Sequence, residues 1–146
     1  GQAGGHAMMS KEAAEVVALA RVAMRNGRPA IEDPLIRDRL VQFIMEERSM
    51  VLSAVRATIP ALNEERPKSI PMAVKLVRSE YQRRLSQFAL LLQGANAAYY
   101  IGDANAYEGG RWQRSYFNAF SATIGGGTSE IQRNIIGERV LGLPKS

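Results

Sequence analysis

Near the end of the chain, three consecutive glycines, Gly125, Gly126 and Gly127, run into Thr128, Ser129 and Glu130, and Ile131, Ile135 and Val140 then recur at helical spacing. A stretch without side chains that stops where a helix starts can receive an anionic or oxygen-rich group. Glycine admits positive φ and close approach to the main chain, and the first turn of a helix offers unpaired N–H groups and the positive end of a dipole. Ser129 and Gln132 have the spacing of a capping box, Ser/Thr-x-x-Glu/Gln. Taken alone, such a segment is a tight turn followed by an N-cap, the usual meaning of glycine before a helix. It is not a P-loop, because no Lys-Ser/Thr follows the glycines. It is not a dinucleotide fingerprint, because no strand precedes it.

The elements that must position this segment all read as helices. A first helix is predicted over residues 11–25, with Ser10 as N-cap, Glu12 in the first turn and Asn26-Gly27 as the stop. Its apolar set (Val16, Val17, Leu19, Ala20, Ala23, Met24) is short and fits the end of a longer helix. A second starts at Asp33-Pro34, an N-cap followed by proline at the first helical position; Ile36, Leu40, Phe43, Ile44, Val51 and Val55 mark one face, and it ends near Ile59-Pro60 before a polar loop over 61–68. The third is the clearest: Ser69 caps it, and Ile70, Val74, Val77, Tyr81, Leu85, Phe88 and Leu92 alternate at three- and four-residue steps up to Gly94, a seam suited to antiparallel bundle packing. Tyr81 and Phe88 read as core. Residues 95–110, with Tyr99, Tyr100 and Tyr107, form a long connection of the kind that serves function or an interface. Trp112, Tyr116 and Phe120 give a short fourth helix, and a final one runs over 129–140 until Leu141-Gly142-Leu143-Pro144. No strand pattern or internal repeat appears. The expected fold is all-α, an antiparallel (up-and-down) four-helix bundle.

The bulk numbers narrow the function classes. At 146 residues with 46% hydrophobic content, the chain is one domain's worth with enough apolar material for a core. It has no cysteine, which excludes disulfides and thiolate catalysis and suits a cytoplasmic protein. No apolar run approaches the ~20 residues of a membrane span, and no signal-peptide pattern is visible. The net charge of +5 arises from 19 Lys and Arg against 14 Asp and Glu. These are interspersed, as at Glu46, Glu47, Glu64 and Glu65, so a solvated surface explains them better than a nucleic-acid face. Residues 1–8 read as an expression scar, with the native start at or after Met8 or Met9. His6, the sole histidine, lies in it, and one histidine without cysteines makes no transition-metal site.

The longer string Gly-Gly-Thr-Ser-Glu-Ile-Gln-Arg-Asn-Ile-Ile from Gly126, followed by Glu138-Arg-Val-Leu-Gly-Leu-Pro144, closely resembles the C-terminal signature of the acyl-CoA dehydrogenase family. The resemblance is strong over Ser121 to Lys145 and continuous in pattern from about Ala18. It covers the family's C-terminal helical domain, assigned here to residues 9–146; the upstream helical and β domains of a complete member are not in this sequence. The family resemblance implies FAD as cofactor, an acyl-CoA substrate converted to a trans-2-enoyl-CoA, a glutamate that removes the α-proton, an electron-transfer flavoprotein-type acceptor, and a homo- or hetero-oligomer formed through the helical domain.

Carried over residue by residue, the resemblance assigns cofactor binding to Gly126 and Gly127 (backbone), Thr128 and Glu130, the acidic Glu130 suiting ribose or adenine rather than diphosphate. A Gln-x-x-Gly-Gly-x-Gly element, which cradles the FAD diphosphate of a neighbouring subunit, corresponds to Leu91-Leu-Gln-Gly94-Ala-Asn-Ala97. Gly94 is kept, but the first glutamine is Leu91 and the other glycines are Ala95 and Ala97. A family arginine near the end of the first helix has Arg21 and Arg25 as candidates. The family's glutamate in the Tyr-Glu-Gly-Thr pattern falls on Gly126, which cannot accept a proton. Other members carry it on the first helix, in a part that would precede Lys11. Glu12 and Glu15 read as surface residues, so no catalytic base is expected in this chain. A non-catalytic interaction module that kept the fold is the alternative, and a basic nucleic-acid binder, resting on charge alone, is a third.

Overall fold

The structure, a computed structural model, describes residues 11–62 and 69–145, with side chains described except those of 69–72. The described residues form α1 (Glu12–Val22), a two-residue hairpin β1 (Met24–Arg25) and β2 (Arg28–Pro29), α2 (Pro34–Ala57), α3 (Ser69–Gln93), α4 (Arg111–Ile124) and α5 (Ser129–Arg139). Short 3₁₀ turns lie at Ala30–Glu32, Pro60–Leu62, Gly94–Ala98 and Tyr107–Gly110. The third helix is the hub: it packs against each of the other four.

The buried faces follow the sequence seams only where a partner helix is present. One contiguous core gathers Ala13, Val16, Leu19, Ala20 and Ala23 from the first helix and its end, Ile36, Leu40 and Phe43 from α2, Tyr81, Leu85, Ala89 and Leu92 from α3, and Trp112 from α4. The alanines on α1 let it approach closely, and Phe43 sets its ring against Tyr81 edge-on at 5.9 Å and against Phe88 at 5.4 Å. Fully burying one such side chain contributes about 1.5–3 kcal/mol. Polar ties fix the register. Arg84 donates to both carboxylate oxygens of Glu46 at 2.9 and 2.6 Å, joining α2 to α3. The buried carboxylate of Glu47 accepts from the Ala13 N–H at 3.2 Å, capping α1 from α2. Gln113, in the first turn of α4, meets Gln93 at the end of α3, and Ser129 beyond α4 meets Glu80, so α4 runs antiparallel to α3.

Several expectations are corrected. The first helix stops at Val22 rather than Arg25, because Asn26 (φ 52°) and Gly27 (φ 75°) form a hairpin turn that pairs Met24 with Pro29 and Arg25 with Arg28. Asn-Gly supplies the two positive φ values such a turn needs, so a pair of strand residues exists where none was predicted. The Asp33 cap is as expected, accepting from Leu35 N–H at 2.9 Å. The seams of α2 and α3 run out of partners toward one end, where Val55, Val74 and Val77 are exposed, and Ile44 lies off the buried face between Phe43 and Glu47. Leu52 is 62% exposed on α2, as are Phe117 (58%) and Ile124 (66%) on α4. The cap predicted at Ser10, His6 and the residues read as an expression scar lie outside the described residues, as do the side chains of Ser69 and Ile70.

Candidate functional site

The glycine segment links α4 to α5 and is held by its neighbours on three sides. A turn closes from Gly127 N–H to the Ile124 carbonyl at 3.2 Å. Gln132, one turn into α5, donates back to the Gly126 carbonyl at 2.7 Å. From α3, Lys75 Nζ donates to the Gly127 carbonyl. At the head of α5, Ser129 Oγ donates to Glu80 Oε1 at 2.5 Å, while Glu80 Oε2 pairs with Arg83 at 3.2 Å. The Ser129 hydrogen bond, followed by that to Arg83, holds the Glu80 carboxyl below the usual carboxylate range.

The cap lies one residue earlier than the sequence spacing implies. Thr128, with extended backbone, is the N-cap, and its Oγ1 accepts from Ile131 N–H at 3.4 Å. Ser129 is therefore the first helical residue, and its hydroxyl is free to reach α3, while Gln132 grips the loop instead of completing a capping box. Glu130 lies fully exposed in the first turn. Its own backbone N–H and the Thr128 hydroxyl lower its pKa, as suits a carboxylate at the positive end of a helix.

The residues assigned to the cofactor fall into two groups. Gly126, Gly127, Thr128 and Glu130 share the loop and the head of α5. Gly94 lies at the opposite end of α3: from Glu80, which touches the loop, to Gly94 is roughly 20 Å at about 1.5 Å per residue. There Gly94 (φ 57°) opens a 3₁₀ turn beside a cleft of about 440 Å³ lined by Asn96, Tyr99, Asn105, Ala106, Tyr107 and Glu108. Under that turn Gln113 donates to Gln93 Oε1 at 3.0 Å and to the Ala97 carbonyl at 3.2 Å, leaving Gln93 Nε2 and Gln113 Oε1 buried without partners. Arg21 is exposed in the last turn of α1, and Arg25 faces Asp33 at 3.6 Å. The Gly94 and loop groups cannot close on one small ligand from a single chain.

Neither glutamate of the first helix is a simple surface residue. Glu15 pairs with Arg111 of α4. Glu12 is half-buried beside Gln82, and burial pushes its carboxyl up against the opposing pull of Arg78, with Glu47 adding repulsion. Among the described residues no three His, Cys, Asp or Glu side chains gather to hold a metal ion. No described helix is long and apolar enough to cross a membrane.

An all-α bundle with a latched glycine loop before its last helix is the class this geometry defines. Residues 2–141 match the family described as acyl-CoA dehydrogenase, C-terminal domain, and the chain belongs to that family. It is 39% identical over 129 residues to acyl-CoA dehydrogenase IpdE1 of Mycolicibacterium smegmatis, covering 87% of this chain and 30% of that protein. The fold superposes on a protein described as the Tcur3481-Tcur3483 steroid ACAD with a TM-score of 0.75 at 25% identity, covering 94% of this chain and 35% of that one. It also superposes on the ChsE4-ChsE5 complex from Mycobacterium tuberculosis with a TM-score of 0.74 at 23% identity, covering 92% and 34%. The chain thus spans about a third of the length of the relatives it matches.

The loop's donor set fits a flavin nucleotide: main-chain N–H groups at a helix head, a threonine hydroxyl and an exposed carboxylate complement phosphate, ribityl and ribose oxygens. The Gly94 turn fits it less well, since Ala95 and Ala97 put side chains where the family pattern has glycine and Leu91 is exposed where the pattern has glutamine. Lys75 and Glu80 escaped the sequence reading. They lie next to the α3 seam, and nothing local marks a lysine or glutamate that will bond a loop about 50 residues away.

Proposed function

We propose that this chain is the C-terminal helical domain of an FAD-dependent acyl-CoA dehydrogenase, contributing cofactor contacts and oligomer formation to the α,β-dehydrogenation of an acyl-CoA thioester in the cytoplasm. The observation that carries this is the run from Gly126 to Ile136 at the head of α5, in a chain 39% identical to a protein described as an acyl-CoA dehydrogenase. FAD bound there would supply the hydride acceptor for the β-carbon, with a flavoprotein-type protein as the electron acceptor beyond it. Thr128 and the glycine backbone hold the cofactor's oxygens, Glu130 reaches ribose or adenine, Arg21 contacts the cofactor from the end of the first helix, and Gly94 serves the cofactor of a neighbouring subunit.

The α-proton leaves to a carboxylate outside the glycine loop, because Gly126 has no side chain and a base must come within roughly 3 Å of its proton. That carboxylate lies upstream in the same polypeptide or on a related subunit. The exposed apolar residues of α2 and α4 support burial against other domains or subunits. The neighbour described as a steroid ACAD makes a steroid-derived acyl-CoA the first substrate to try.

The second reading is a non-catalytic helical oligomerisation module, favoured by Gly126 in place of the base and by Leu91, Ala95 and Ala97 in the diphosphate element. Mass spectrometry of products formed by the full-length polypeptide, with and without related subunits from its source, separates the two. Loss of two hydrogens from an acyl-CoA is expected; no product from any subunit combination would favour the module. The isolated 146-residue chain is expected to be inactive.

A further inference from the structure

We propose that Lys75 is a positioning residue that aims the Thr128 N–H of the glycine loop at the cofactor, an inference that rests on the loop being a flavin contact. The Gly127 carbonyl and the Thr128 N–H belong to one trans peptide and point in opposite directions. Lys75, on the bundle side in α3, draws the carbonyl toward itself. The N–H is thereby turned away from Lys75. Among the described residues that N–H has no protein partner: the turn uses Gly127 N–H, and the cap uses those of Ile131 and Gln132.

The path of the lysine fits this task. A side-chain carbon added at Gly126 would lie 3.9 Å from Lys75 Cε, so the stem passes beneath Gly126 before reaching the next carbonyl. Without it, the segment has little to choose its orientation. Glycine peptides rotate freely, and Gln132 fixes only the neighbouring carbonyl of Gly126. Glu80 pins Ser129 through its side chain, which sets the helix head but not the plane of the Gly127–Thr128 peptide. Among the described residues the charged donor that reaches that plane is on α3, which ties the loop's orientation to the bundle core.

The test uses the full-length protein, stripped of flavin and titrated with FAD, beside amide exchange of residues 125–129. Lys75→Met should speed exchange in the loop and weaken FAD binding, each roughly tenfold or more, and Lys75→Arg should restore both. Thr128→Pro removes the N–H at a φ of −63° that proline accepts, together with the hydroxyl, and should weaken FAD binding beyond Thr128→Ala, which removes the hydroxyl alone. Should Lys75→Met fail to fold, Lys75→Gln, which shortens the donor's reach, carries the same expectation. Weakened FAD binding in Thr128→Pro with wild-type binding in the lysine variants would overturn the positioning role while leaving the loop as a flavin contact. Wild-type binding in all of them would overturn the flavin reading of the loop, and the role of Lys75 with it.

Discussion

Gly127 combines φ of 99° with crowding: a side-chain carbon there would meet Gln132 at 3.2 Å and Ile131 at 3.3 Å. Gly127→Ala should cost about 1–3 kcal/mol, read as a fall in the denaturation midpoint, and should disturb the Gln132 grip on the loop. Gly110 is more demanding, with φ of 79° and the Ile101 backbone nitrogen 2.7 Å from the added carbon. Gly110→Ala should cost roughly 3 kcal/mol or more. The carboxylates give opposite pH signatures. Glu46, lowered by its Arg84 hydrogen bonds, and Glu80, lowered by Ser129, stabilise the fold fully above the unfolded glutamate pKa of about 4.3 and lose that contribution as pH falls through their lowered values. Glu12, raised by burial, costs stability at neutral pH, and the cost vanishes below the unfolded value. Glu80→Gln should therefore lower the melting temperature at pH 7, by an amount that shrinks as pH falls through the lowered Glu80 value. Glu12→Gln should raise it at pH 7, with the gain fading toward pH 3; a fall at pH 7 would contradict this account of Glu12.

At the scale of elements, the α2 cap shows what sequence makes legible. Asp33-Pro34 is a local chemical instruction, and Asp33→Ala should cost about 1 kcal/mol, measured by urea unfolding, because it removes the cap and the partner of Arg25. The central part of α3 was equally legible, since Tyr81, Leu85 and Leu92 repeat at the spacing that buries them. Phe43→Ala, which empties the ring cluster with Tyr81 and Phe88, should cost about 3–5 kcal/mol. The same seam failed at Val74 and Val77 because periodicity names an apolar face but not whether anything covers it. The hairpin at Asn26-Gly27 was missed because two strand residues carry no pattern. The Thr128 cap was missed because Thr128 and Ser129 are both good caps and only the contact from Ser129 to Glu80 selects between them. In the site, the glycines and Thr128 were visible from sequence, whereas the α3 residues that hold them were not, since their partners are distant along the chain.

For the whole molecule, the uncovered apolar faces are the feature an isolated bundle would not need. Leu52 and Ile124 are 62% and 66% exposed, so Leu52→Glu and Ile124→Glu should change the stability of the 146-residue chain by no more than about 0.5 kcal/mol. At least one of them should lower the mass of the assembled full-length protein in sedimentation. A wild-type mass for both would remove these faces from the assembly. Family membership, the latched loop and the absent side chain at Gly126 together support the proposal of a domain that holds cofactor and subunits while the base lies elsewhere. The most direct measurement is the visible absorption of the full-length protein purified with its natural partners, before and after anaerobic addition of a steroid-derived or fatty acyl-CoA. The account predicts a bound flavin spectrum that bleaches as the substrate is oxidised. A colourless oligomer that takes up no FAD would contradict it and leave the interaction module in its place.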